Sequence, residues 1–477
     1  MRERTPVVVL GAGPAGLGAA YRLARRGCFD VTVLERQNGV GGNAGSFELA
    51  GMRVDFGSHR LHPSCPSEVL GDIRTMLGAD LADRPRQGRI RMRGRWVRFP
   101  LQAPDLIRNL PPSFTLGVAW DAVAKLRPKS SADTFEGVLE RGLGRTICRD
   151  FYFPYARKIW GVDPAELDAE QARRRVSAGS LAKMTRKVVA AIPGAGAIPK
   201  LKPTGAGRFY YPKRGFGQIS EAYHCAALQA GAWVQLGASV TAVEIENGRV
   251  SCVRFQNALG EHSVAARQVL STLPVSALVR AVSPDSPSDV LQAASSLRFR
   301  AMLLIYLVLE TERFTEYDAH YFADSSVAIT RLSEPKNYGL AILPGRTVLC
   351  AELPCAQTDA IWQASESELG DVVLDSLAAA GLPAKARVSG IATRRLPQAY
   401  PIYTRDYAAH FDRLDAWLSR IEGVVTFGRQ GLFAHDNTHH ALAMAYALDE
   451  CLDDGGCLDR ARWEQYRREF RRHVVED

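Results

Sequence analysis

The sequence predicts an α/β fold: a Rossmann-like nucleotide-binding domain assembled from separated segments, with an inserted helical region and a second domain built on a β-sheet. Three observations predict it. A short apolar run, residues 6–10, passes through Gly11, Gly13 and Gly16 into a helical stretch, 17–26, that Gly27 ends. A second apolar run, 30–34, closes on a carboxylate at Glu35. The length of 477 residues exceeds what one hydrophobic core organises, so further units must be inserted or appended.

The first run reads as a buried parallel strand because it is β-branched and continuously apolar rather than alternating. In the GxGxxG spacing, Gly11 makes the tight turn, Gly13 lets the backbone approach a pyrophosphate, and Gly16 lets the helix pack on the strand. Pro14 and Ala15 complete the turn, and the following helix offers its first amides and its positive end to the same phosphates. Glu35 is placed to accept from ribose hydroxyls, with Arg36 beside it. Strand, glycine turn, helix and acidic strand end, in this order, identify a dinucleotide site, which none of the four does alone.

A nicotinamide-binding domain would continue into a crossover helix. This chain runs instead through Gly39, Gly41 and Gly42 into a hairpin-like pair, 45–49 and 52–56. Glu35, the GGN of Gly41, Gly42 and Asn43, and the DFGSH run with Gly57, Ser58 and His59 resemble the FAD-binding head of one flavoprotein superfamily. Its members include protoporphyrinogen oxidase, the amine oxidases and UDP-galactopyranose mutase. YYPKRGFGQISEAY (210–223) is similar to the segment in which that family returns to its FAD domain. GASVTAVEIENGRV (237–250) is similar to the strand pair whose Val240 backbone meets adenine, and VLSTLP (269–274) to a strand end beneath the cofactor. VVTFGRQGLFAHDNTHHALAMAYALDECL (424–452) is similar to the closing strand and helix that cap the flavin, which adds Gly428, Arg429, Asp436, Asn437 and Thr438 to the cofactor-binding set. Asp436, Asn437 and Thr438 are also N-cap residue types ahead of an alanine-rich helix, whose positive end would favour negative charge on a flavin. The resemblance implies non-covalent FAD, since no cysteine lies in the capping loop where the covalent amine oxidases carry theirs.

The resemblance covers most of the chain and divides it into three FAD-binding parts, 1–62, 205–275 and 421–477. The first insertion, 63–204, reads as mainly helical, in 67–81, 134–161 and 166–176, with a Pro/Gly-rich loop over 191–207. The second, 276–420, holds strands such as 301–310 and 347–353 and is expected to form a sheet roofing a substrate pocket.

The formal net charge of +9 is spread along the chain with no nucleic-acid-binding signature, which excludes nucleic acid and points to a small anionic substrate. Within GRIRMRGRWVRFPL, Arg89, Arg91, Arg93 and Arg95 share one parity; the run reads either as a solvated strand face or as an oxyanion-binding one. Tyr155, Lys158 and Trp160 resemble the family's YxxKxWG stretch beside the substrate, against the alternative of a core stripe. Arg95, Tyr211, Arg331, Tyr400 and Tyr403, with Lys336, complete the substrate-binding set by resemblance. Trp463, Tyr466 and Phe470 sit at i, i+3 and i+7 among arginines, so the last helix either docks on its own domain or offers a weak membrane-surface contact.

Nine cysteines, an odd number without a CxxC pair or a metal-ligand spacing, indicate free thiols in a reducing compartment and no metal site. No run reaches the about 18 apolar residues of a membrane span, and the N-terminal apolar run is broken by glycines as no signal peptide is. A cytoplasmic protein is expected; oligomeric state is not readable.

GSHRLHP supplies the catalytic candidates His59, Arg60 and His62, since an imidazole titrates near neutral pH. The expected activity is that of an FAD-dependent oxidoreductase accepting a hydride at flavin N5 from a polar, anionic, nucleotide-sugar-like substrate. Three alternatives stay open: a redox-neutral rearrangement of a sugar nucleotide on reduced FAD, a dehydrogenation of the protoporphyrinogen-oxidase type, and a flavin-binding protein without catalysis.

Overall fold

The computed structural model describes residues 4–99, 105, 108–124, 133–175, 207–339 and 343–475. The loop expected over 191–207 lies almost wholly outside them. The predicted first unit forms as strand β1 (Thr5–Leu10) and helix α1 (Pro14–Arg25), and the second strand as β2 (Phe29–Leu34). With β3 (Trp233–Gln235), β4 (Gln268–Ser271) and β5 (Val424–Thr426) they make an all-parallel sheet in the order β5–β4–β1–β2–β3. Residues alternate across this sheet as the pleat dictates: Val7 and Val9 enter one core with Leu17 and Leu270, while Val8 and Leu10 enter another with Val269 and Leu278. Both faces are covered, which is why the strands read as unbroken apolar runs.

Strand Ser239–Glu246 heads a second sheet, of order Gly260–Ala265, Arg249–Asn257, Ser239–Glu246, Val282–Ser283. The hairpin after Glu35 forms as Ser46–Leu49 paired with Met52–Asp55.

The expected roof is a seven-stranded sheet, of order Val388–Ile402, Arg298–Leu309, Thr347–Cys355, Arg331–Ser333, Ala319–Phe322, Gly88–Met92, Arg95–Phe99. Its last two strands come from the first insertion, which is therefore not purely helical. Helices Ser67–Leu77, Phe135–Leu143 and Ala169–Arg175 do form there, as does α2 (Phe153–Trp160), entered through a π-helical turn at Cys148–Tyr152. Gly88–Met92 and Arg95–Phe99 are the two arms of a hairpin turning at Arg93 and Gly94, both at positive φ.

The capping helix is α3 (Thr438–Cys451), packed on α1 closely enough that a Cβ on Gly18 would lie 3.0 Å from Leu442. Helix α4 (Arg460–Phe470) buries Trp463 and Phe470 in the core shared by α1 and α3, so its aromatic stripe docks on its own domain. The chain then folds back: the Val475 N–H donates to the Arg174 carbonyl at 2.8 Å, and His473 Nδ1 sits 3.3 Å from Asp436 Oδ1. Among the described residues, no helix is long and apolar enough to cross a membrane.

Candidate functional site

The glycine turn after β1 is tight for a steric reason. A Cβ on Gly16 would come within 2.0 Å of the Gly11 carbonyl oxygen, and one on Gly11 within 2.5 Å of Thr272 Oγ1. Gly13 differs, since a Cβ there would meet nothing within 4 Å because the position faces a cavity. Glu35 braces the turn: Oε2 accepts from the Ala12 N–H and Oε1 from the Gln37 N–H, each at 2.8 Å. Each oxygen keeps a lone pair for a ribose hydroxyl. The second glycine cluster packs against the first through the Gly41 N–H, which donates to the Ala12 carbonyl at 2.8 Å.

One cavity joins these turns to the start of α3. Gly11, Gly13, Pro14, Ala15, Glu35, Gly42, Asn43, Ser58, His59, Arg429, Asp436, Asn437 and Thr438 all line it. Asn437 caps α3, and its own N–H donates to His440 Nδ1 at 3.2 Å. Gly16, Gly41, Gly57 and Gly428 lie behind this lining and shape it: a Cβ on Gly428 would press 2.9 Å from that of Ala15. Arg36 is exposed outside the cavity, and Val240 packs on the core of the neighbouring sheet, outside the lining as well.

Five buried polar atoms on this lining have no partner among the described residues: Ser58 Oγ, Arg60 Nε, Arg429 Nε, Gln430 Oε1 and Asp436 Oδ2. Donors and acceptors stranded beside a glycine turn, a ribose-type carboxylate and a helix N-terminus fit FAD, which carries phosphates, hydroxyls and a polar ring edge.

His59, Arg60 and His62 all line the same cavity. His59 Nε2 lies 2.8 Å from the Phe56 carbonyl, which can only accept, so Nε2 carries the proton and Nδ1 the lone pair. The ring stacks on Phe216 at 5.3 Å between centroids, and burial lowers its pKa, which keeps it neutral at pH 7. Beneath it the buried Asp55 accepts from Ser46 Oγ and Tyr211 Oη, each at 2.6 Å, and from the Phe216 N–H at 2.8 Å. Burial raises the Asp55 carboxyl above its usual range. His62 Nδ1 accepts from the Ser64 N–H at 3.1 Å. Arg60 pairs with Asp318 at 3.1 Å and lies over the Phe209 ring.

Arg331 and Tyr400 reach the cavity as expected. Arg331 pairs with the buried Glu352, which also accepts from the Ser58 N–H at 3.0 Å and so ties the roof sheet to the histidine loop. Tyr400 has guanidinium groups on it from Arg175, at 5.4 Å, and Arg429, at 5.3 Å. Arg86, Arg175 and Arg208 also line the cavity and were missed from sequence, because arginines without a motif look like solvated surface. Asp55, Asp318 and Glu352 were missed for a related reason: each acts through partners far away in the chain.

Several expected substrate residues are not at the cavity. Arg95 is exposed at the hairpin turn, and the shared parity of Arg89, Arg91, Arg93 and Arg95 does not make one face, because the chain reverses at Arg93. Arg89 stacks on Trp96 at 4.1 Å, Arg91 pairs with Asp324 and Arg93 with Asp150. Lys158 Nζ donates to the carbonyls of Phe322, Asp324 and Ile329, a structural anchor whose burial pulls its pKa down to about 7. Tyr155 stacks on Phe151, and Trp160 is buried behind the wall against Tyr400 and His435. Tyr211 is consumed by Asp55, and Tyr403 by the Phe433 carbonyl and a 4.0 Å stack on Tyr407. Lys336 donates to the carbonyls of Glu312, Leu343 and Arg346 and stays outside.

The comparisons with known proteins agree with this architecture. The solved structure of reduced UDP-galactopyranose mutase superimposes with a TM-score of 0.76 at 18% identity, covering 94% of this chain and 93% of that one, a likeness of fold. The zeta-carotene-forming phytoene desaturase of Myxococcus xanthus is 27% identical over 268 residues, 52% of this chain and 50% of the relative. The phytoene dehydrogenase of Streptomyces griseus is 26% identical over 322 residues, 61% of this chain and 59% of the relative. The chain thus spans about half to three-fifths of the length of these two curated relatives. A family model described as flavin containing amine oxidoreductase matches residues 14–433, from the glycine turn to the last strand and the loop beyond it. With the turn, the sheet order and the cavity in agreement, the chain belongs to the flavin-containing amine oxidoreductase family.

Proposed function

We propose that this chain is an FAD-dependent oxidoreductase that holds FAD without a covalent bond and oxidises a polar, anionic substrate of the nucleotide-sugar type. One observation carries the reading: Arg60, Arg86, Arg175, Arg208, Arg331 and Arg429 line the same cavity as the glycine turn, against the carboxylates of Glu35 and Asp436. Two of the six, Arg60 and Arg331, are committed to buried carboxylates and act as scaffolding. Arg86, Arg175 and Arg208, the last paired with the exposed Asp83 at 2.9 Å, carry planar donor forks of the kind that suits phosphate or carboxylate. A cavity so lined disfavours a wholly apolar substrate, because the guanidinium donors that face it would lose water without gaining an acceptor from such a ligand.

When bound, FAD supplies the acceptor for the hydride that leaves the substrate. The protein's part is positional and electrostatic. The N-terminus of α3, capped by Asn437, turns its positive end to the cavity and favours negative charge there. His59, neutral and with its proton fixed on Nε2 by Phe56, is the base, receiving the substrate's proton on Nδ1. Tyr400, between Arg175 and Arg429, orients both guanidinium groups. Nine free thiols fit a cytoplasmic setting.

A second reading has support in Asn43, which lines the cavity where amine oxidases typically place an arginine: a redox-neutral sugar-nucleotide isomerisation on reduced FAD. Dehydrogenation of a porphyrinogen is a third. Absorbance spectra of the purified protein, before and after dithionite, with nucleotide sugars or porphyrinogen added to each form, separate them. Bleaching of oxidised flavin by a nucleotide sugar without dithionite is the expected result. Turnover of nucleotide sugars only after reduction selects the isomerase, and bleaching by porphyrinogen alone selects the third reading.

A further inference from the structure

A second groove, of about 610 Å³, opens at the opposite edge of the parallel sheet, within the size range of small-ligand sites. It is framed by the start of β4 at Arg267 and Gln268, the edge strand β5, the end of helix Tyr407–Leu418, and the face of α4 that carries Arg460, Trp463, Glu464 and Arg467. In open α/β sheets cofactors sit beyond the carboxyl ends of the strands, where β4 leads into Thr272 and Leu273 of the flavin cavity. Gln268 is at the other end of that strand, so the two cavities are separate.

The charge of the groove is not internally balanced. Arg249 pairs with Glu422, and Arg467 with Asp415 and Glu464. Among the described residues, Arg267 and Arg420 have no carboxylate within ion-pair distance, and Arg460 has only the Ser419 carbonyl. Three guanidinium groups therefore line one groove without an ion-pair partner among the described residues, while its two carboxylates, Glu422 and Glu464, are taken by Arg249 and Arg467. The second observation is independent of charge. Gln268 is only 7% exposed, lines the groove, and its Oε1 is buried without any hydrogen-bond partner. A buried acceptor left alone is unfavourable, and an amide oxygen is satisfied only by a donor.

We propose that this groove binds a small phosphorylated metabolite bearing a free hydroxyl. The phosphate takes the forks of Arg267, Arg420 and Arg460, and the hydroxyl donates to Gln268 Oε1. Binding is non-covalent and separate from the flavin reaction, so it stands whether or not the proposed oxidation is correct.

The test is calorimetric titration of the flavin-loaded protein with glucose 6-phosphate and, separately, with sulfate, which offers charge but no hydroxyl donor. The parent is expected to bind glucose 6-phosphate saturably and sulfate more weakly. The exposed pair Arg267→Ala and Arg420→Ala together should weaken glucose 6-phosphate binding at least about tenfold with the flavin spectrum unchanged. Gln268→Leu, which removes the lone acceptor at similar volume, should reduce the preference for glucose 6-phosphate over sulfate and leave sulfate binding as it was. No saturable binding by the parent, or binding that is equal in parent and double-arginine variant, overturns the proposal.

Discussion

Gly13 and Gly16 belong to one motif yet answer a methyl group differently. Gly16→Ala drives a Cβ into the Gly11 carbonyl and breaks the contact of helix with strand. Gly13→Ala meets no protein atom, so its cost falls on the cofactor alone. The Gly13→Ala protein is expected to unfold within about 0.5 kcal/mol of the parent, yet to purify with a clearly lower ratio of flavin to protein absorbance. Equal flavin content would remove Gly13 from the cofactor contact. His59→Ala should lower turnover by about 10²-fold or more with flavin retained. The control, His262→Ala, should stay within about twofold, because His262 is tied to Asn257 and stacked on Phe255 in the neighbouring sheet. The glycine wall of the cavity was legible because its meaning lies in local spacing, and a glycine turn constrains its own neighbours, whereas Arg36 and Val240 lie outside that cavity. Tyr211, Lys158 and Tyr403 were not, since a polar aromatic or a lysine looks the same in sequence whether it meets substrate or a carbonyl far along the chain. Asp55 sits 156 positions from Tyr211 and takes its hydroxyl away from any ligand.

At the scale of elements, the hairpin Gly88–Met92 and Arg95–Phe99 shows where pattern reading fails. Alternation continues on paper through Arg93 and Gly94, but these two residues turn the chain, and no Asn-Gly or Asp-Gly marks the reversal. Its first arm then adds in parallel to Ala319–Phe322, a pairing no local signal announces. Helix α4 is the converse case, because an apolar stripe among arginines allowed two dockings and only the finished core decides between them. Trp463 lies 4% exposed in that core, whereas Tyr466 is half-buried and donates to Glu450. Trp463→Ala should therefore cost about 3–5 kcal/mol in urea unfolding, and Tyr466→Ala no more than about 1.5 kcal/mol. Similar small losses from both would mean that the helix is only loosely seated.

The molecule as a whole carries an acid sensitivity that its net charge hides. Burial pulls His440 down to about 4, against the opposing pull of Asp436, and burial with the nearby Arg89 pulls His320 down to about 3. In the unfolded chain both titrate near 6.5, so the folded chain binds fewer protons below that pH. Their contribution to stability is complete above pH 6.5 and is lost as pH falls toward 4 and then 3. Each histidine adds a slope of up to about 1.4 kcal/mol per pH unit. Denaturant midpoints measured from pH 7 to pH 4.5 should fall steadily; a flat profile would mean that these histidines accept protons without unfolding. The sheet order of the nucleotide-binding domain has another consequence, for synthesis rather than stability. β1 is made first and sits at the centre, but its neighbour β4 and the closing β5 come from residues 268–271 and 424–426. A ribosome adding about 5–20 residues per second needs roughly 20–80 s to travel from β1 to β5. For most of that time the emerging polypeptide holds an unfinished sheet whose unpaired strand edges invite pairing with other chains, so shielding those edges during translation should raise the recovery of folded protein.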